Sequence, residues 1–91
     1  MRRAAKVDLN HRVIVEALRR VGASVIDLSA VGDGCPDLLV GYRGHTWLIE
    51  VKSAKGSLTP AQKTVHAEWN GFPIAVVKTV EEAWLLIGAV R

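Results

Sequence analysis

Three observations predict an α/β fold with a mixed central sheet flanked by helices. Apolar periodicity switches between helical and strand-like along the chain in the order α-β-β-β-α-β-α. Two apolar runs, Asp37–Tyr42 and His45–Lys52, meet at the Gly-containing turn Arg43-Gly44 and read as a hairpin. Two later segments, Thr59-Pro60-Ala61-Gln62 and Thr79-Val80-Glu81-Glu82, carry helix-opening signals. Helices packed on a sheet that contains such a hairpin make a layered α/β architecture. With 91 residues and no repeat, linker or low-complexity stretch, the chain is expected to form one domain, residues 1–91.

Asp8 to Val21 reads as the first helix. Asp8 can cap it, Leu9, Val13, Ile14, Ala17, Leu18 and Val21 recur at helical spacing, and Gly22 ends it. Ala23 to Leu28 alternates and is rich in β-branched residues, hence a strand. Ser29 to Pro36, with Gly32, Asp33 and Gly34, is a loop whose glycines leave room for a bulky substrate at the strand end. The hairpin follows, then a polar connection from Ser53 to Leu58. At the next helix Thr59 serves as N-cap, Pro60 as N1, and Gln62 at N3 completes a capping box, with the helix running to about Trp69. Ile74 to Lys78 is a short strand, and the last helix opens at Thr79 and ends near Gly88.

The hairpin carries the chemistry. With a turn at Arg43-Gly44, Tyr42 faces His45 and Asp37 faces Glu50, and alternation puts Asp37, Glu50 and Lys52 on one face. Directly opposed residues have Cβ atoms about 4.5–5.5 Å apart. Two carboxylates that close repel unless a cation lies between them, and such hard oxygens suit Mg²⁺ or Mn²⁺. Asp37, Glu50 and the Val51 carbonyl are the expected metal ligands. Such an ion polarises a phosphoryl oxygen and lowers the pKa of bound water. Lys52 on the same face can orient or deprotonate that water, or stabilise charge on the phosphate. Phosphodiester hydrolysis is the chemistry that follows.

Composition narrows the alternatives. A hydrophobic content of 49% argues against disorder, and the apolar runs are too short to span a bilayer. No apolar stretch follows Met1-Arg2-Arg3, so secretion is not expected, and the lone Cys35 fits a reducing cytoplasm. Cys35 has no identifiable His and Asn/Asp partners for a nucleophile role. His11, His45 and His66 have no zinc-ligand spacing with a cysteine pair. The net charge of +3 is modest, but it is concentrated in Arg2, Arg3, Lys6, Arg12, Arg19 and Arg20 and again in Lys52, Lys55 and Lys63. Beside a metal site, Arg12, Lys55 and Lys63 become candidates to meet a polyanion such as DNA. Glu16 is expected to pair with Arg20 one helical turn away. Trp47, Trp69, Phe72 and Trp84 exceed what so small a core obviously needs. They are expected in core or dimer packing, and a leftover apolar patch predicts a homodimer.

Pro36-Asp37 followed by Glu50-Val51-Lys52 resembles the PD-(D/E)XK nuclease superfamily, whose restriction-endonuclease-like α-β-β-β-α-β core matches the element order above. Val31 to Gly41, Leu48 to Lys52 and Leu58-Thr59-Pro60-Ala61-Gln62 resemble more narrowly the compact virus-type replication-repair nuclease (VRR-NUC) domain, from about Asp8 to Gly88. The resemblance implies a metal-dependent endonuclease of replication or recombination, a homodimer acting on branched DNA in the manner of a Holliday-junction resolvase. It also implies a role for Gln62 in orienting Lys52 or touching phosphate. The matching turn of the first helix holds His11, where the family often has an acid or amide, which makes His11 a candidate to contact the water at the metal. Other readings of the motif are a nuclease of simple duplex or single-strand preference, and a non-catalytic DNA-binding subunit of the same fold.

Overall fold

The structure, a computed structural model, describes residues 9–89. The expected cap Asp8 and the basic residues Arg2, Arg3 and Lys6 lie outside those residues. Seven elements follow one another as α1 (Leu9–Arg20), β1 (Ser24–Asp27), β2 (Leu38–Tyr42), β3 (His45–Val51), α2 (Pro60–Glu68), β4 (Ala75–Val77) and α3 (Val80–Ile87). The strands form one sheet in the order β1-β2-β3-β4, antiparallel from β1 to β3 and parallel between β3 and β4. The sheet is therefore mixed, because the β3–β4 connection is a crossover through α2 rather than a hairpin.

The hairpin turn sets the register. Arg43 and Gly44 both have positive φ, 50° and 84°, as a two-residue type I′ turn requires. The Arg43 guanidinium lies 5.1 Å from the centre of the Tyr42 ring, a local contact that accompanies the unusual backbone of a non-glycine residue. Tyr42 opposite His45 and Leu38 opposite Ile49 follow, and continuing one step sets Asp37 opposite Glu50.

One sheet face holds the core. Leu38, Val40, Ile49, Val51 and Val77 point to that face and pack against Ile14, Val15 and Leu18 of α1 and Ala83 and Ile87 of α3. Trp84 belongs to this layer, its indole N–H donating to the Ala17 carbonyl at 3.0 Å, and Trp47 packs on its edge. The other face meets α2 through the bond from Gln62 to Glu50, and α2 has no buried residue. Two local expectations differ from the structure. Glu16 makes no ion pair with Arg20, since ion pairs among the described residues are His11–Asp27 and Lys52–Glu50. Exposed pairs gain too little to hold two long side chains in place. At α3, Thr79 accepts from the Glu82 amide at 3.0 Å, but Glu82 accepts from the Lys78 amide at 2.6 Å instead of from its N-cap.

Candidate active site

Asp37 ends the loop before β2, and its Oδ2 accepts a hydrogen bond from the Val51 amide at 2.9 Å. Opposite it, Glu50 is 1% exposed, the buried charged side chain among the described residues. Glu50 Oε2 accepts from the Gln62 side-chain amide at 3.0 Å and lies 3.8 Å from the Lys52 ammonium. Glu50 Oε1 is buried with no hydrogen-bond partner. Burial first, then the close approach and negative charge of Asp37, push the Glu50 carboxyl up from 4.5 to about 8, against the opposing pull of Lys52. An acid held in this environment ionises readily only when a cation joins it.

Gln62 caps α2 and also reaches the buried acid Glu50, rather than Lys52. Its amide N–H and its Oε1 complete the capping box with Thr59, at 3.2 and 2.9 Å, while its Nε2 reaches Glu50. One side chain thus fixes the start of α2 and ties that helix to the acid. The loop ahead of Asp37 is pinned to the same helix. Gly34 has φ 83°, and a Cβ there would lie 2.5 Å from the Ala61 carbonyl oxygen. This glycine serves the close approach of α2, a different use from the open access for substrate that the loop composition suggests.

Residues of α1 contribute from behind. The Asn10 amide donates to the Lys52 carbonyl at 2.8 Å and to the Lys78 carbonyl at 3.0 Å, bridging β3 and β4 just past their ladder. His11 is directed elsewhere. Its Nε2 lies 2.9 Å from Asp27 Oδ2, on the sheet face that packs against α1, so it does not join Asp37, Glu50 and Lys52. Asp27 in turn accepts from the Ser29 hydroxyl at 2.6 Å and the Ser29 amide at 2.9 Å. The Ser29 hydroxyl and then His11 hold the Asp27 carboxyl down at about 2, against the effect of burial.

Arg12, Lys55 and Lys63 are all exposed, on α1, on the connection after β3 and on α2. Sequence reasoning passed over Asn10 and His66. His66 lies four residues past Gln62, and its Nε2 is buried without a partner. Helical spacing from the capping box was the available signal, because residues four apart share a face. Among the described residues no group of three or more His, Cys, Asp or Glu side chains forms a metal cluster, so the acids of this site are a pair.

A solved structure of a VRR_NUC domain is similar to this chain over 89% of its length and 92% of the other's, at 30% identity and a TM-score of 0.68. No family model and no curated protein matches the chain.

Proposed function

The chain belongs to the VRR-NUC family, nuclease domains of the PD-(D/E)XK type, and on that premise we propose that it is a Mg²⁺-dependent endonuclease that cuts branched DNA as a homodimer. The observation that carries the reading is Glu50. A buried acid with an unpartnered oxygen, set against a second acid, is a poor structural choice and a good half of a cation site. The donor set fits a hard divalent ion: Asp37, Glu50 and the Val51 carbonyl would hold Mg²⁺ or Mn²⁺. In an extended strand the N–H and C=O of one residue point to the same side. The Val51 amide meets Asp37, so its carbonyl opens toward that carboxylate as well. When bound, the ion supplies Lewis-acid polarisation of a phosphoryl oxygen.

The remaining steps belong to the chain's own groups. Gln62 orients Glu50, and Asp37 is oriented by the Val51 amide. Lys52 orients the attacking water or stabilises charge on the phosphate. Arg12, Lys55 and Lys63 meet the DNA backbone away from the reacting phosphate. The homodimer reading is supported by Trp69 and Phe72, 47% and 69% exposed, beside a groove of about 400 Å³ lined by Leu39, Trp47 and Leu48. Trp84 is taken up by the core and drops out of that patch.

Purified protein incubated with a labelled four-way junction, a flap and a linear duplex tests the activity, each with Mg²⁺ and with chelator. Cleavage only with Mg²⁺, fastest on the junction, is expected. Binding without cleavage would identify a non-catalytic subunit, and equal cutting of linear duplex would overturn the branched preference. Light scattering during size-exclusion chromatography should give about twice the 9.9 kDa chain mass. A monomer that cuts both strands of a junction in one encounter would refute paired sites.

A further inference from the structure

The buried side-chain atoms without a hydrogen-bond partner, among the described residues, are Glu50 Oε1 and His66 Nε2. Both lie at the site. The first is accounted for by the acid pair, whereas nothing in the mechanism above uses the second. Buried polar atoms are nearly always satisfied, so an exception at a site calls for a functional reason.

The position of His66 follows from α2. The capping box fixes Gln62 at the third helical position, and His66 is one turn further on the same side of the helix. Gln62 reaches Glu50 from there, so His66 lies on the side of α2 turned toward β3, with its Nε2 buried. Burial, and then the Lys52 charge, hold the imidazole below its ordinary value, so it is neutral. A neutral imidazole carries one N–H and one lone pair, and only the latter can receive a proton donor.

Lys52 has the complementary deficiency. Its side chain is 15% exposed, and its ammonium lies 3.8 Å from Glu50 Oε2, beyond hydrogen-bond range. The ammonium makes no hydrogen bond among the described residues, although the Lys52 backbone amide and carbonyl are both bonded. The two side chains are not hydrogen-bonded in the structure; we infer that His66 is a positioning residue for Lys52, whose flexible side chain turns so that the ammonium donates an N–H to Nε2 and the lysine head is fixed toward the scissile phosphate. The contact stands on the orphaned nitrogen and the helix geometry. Its purpose rests on the nuclease reading.

Two measurements separate those parts. In the metal-free protein without DNA, ¹⁵N NMR should show His66 as the Nδ1–H tautomer with Nε2 as a hydrogen-bonded acceptor. Lys52→Met should move the Nε2 resonance toward that of a free lone pair. An Nε2–H tautomer, or a resonance indifferent to Lys52→Met, overturns the contact whether or not the protein cuts DNA. In kinetics, His66→Leu should lower kcat roughly 10- to 100-fold, the scale of a misplaced catalytic group, with KM for DNA and Tm close to the parent's. His66→Gln, whose amide oxygen reaches about as far as Nε2, should recover most of the rate. Unchanged kcat in His66→Leu, or equal losses in both variants with a fallen Tm, would overturn the positioning role. Absence of Mg²⁺-dependent cleavage in the parent would instead defeat the nuclease reading and leave the spectroscopic result to decide the contact.

Discussion

The two faces of the sheet are built on opposite principles. The face toward α1 and α3 is closed and apolar, with Ile14, Leu18, Leu38, Val40 and Ile49 fully buried. The face toward α2 carries opposed carboxylates and a buried orphan oxygen beside a helix that buries none of its own residues. Alternation along β2 and β3 makes the division possible, because each step along a strand changes face. Leu38 and Ile49 anchor the core while their neighbours Asp37 and Glu50 face the site. Stability is concentrated on one side, which allows the other to hold an arrangement that folding alone would disfavour.

Substitutions should separate the faces. The largest expected effect is on the open face: Asp37→Asn or Glu50→Gln abolishes cleavage while DNA binding is kept or strengthened, since a negative charge near the phosphates is removed. Either variant cutting DNA as fast as the parent would sink the assignment. Lys52→Ala should slow cleavage by roughly 10²–10⁴-fold without unfolding, the range for a positioned proton-transfer group. Lys52→Arg should rescue poorly, because a planar guanidinium does not replace a compact ammonium. Full activity in Lys52→Arg would mean that a generic positive charge suffices.

The closed face should answer in stability instead. Leu38→Ala should cost about 2–5 kcal/mol in denaturant unfolding, as buried leucines do. The molecules that remain folded should cut at the parental rate. A specific loss of kcat in the folded fraction would show that the two faces are not independent.

Effects of pH run in opposite directions on the two faces. Glu50 has a folded value near 8 against 4.5 when free. Between those values the folded protein holds a proton that the unfolded chain has released, so metal-free stability falls as pH rises. Glu50→Gln should remove that fall, and a melting temperature that declines equally in the variant would exclude Glu50 as its source. Asp27, next to α1, is lowered from 3.8 to about 2. Its contribution is therefore present above 3.8 and lost as pH falls through about 2. Asp27→Asn should flatten the acid limb of the same melting curve.

Features decided within a few residues were legible in the sequence. The period of the apolar residues identified each element, Thr59-Pro60-Ala61-Gln62 identified the start of α2, and a two-residue turn fixed which residues of β2 and β3 face each other. Asp37, Glu50 and Lys52 share a face for that local reason, so the candidate site could be assembled before any fold was known. The tertiary structure decided what depends on distant partners. The amide of Gln62 closes on Glu50 across the sheet, Asn10 bridges Lys52 and Lys78, and His11 turns to Asp27 because α1 lies on the core face. The burial that raises Glu50 and the enclosure of His66 Nε2 also require α2 to be docked. A turn or a cap is set by backbone geometry over one or two bonds' reach, whereas solvation and long-range hydrogen bonds exist only after the layers have come together.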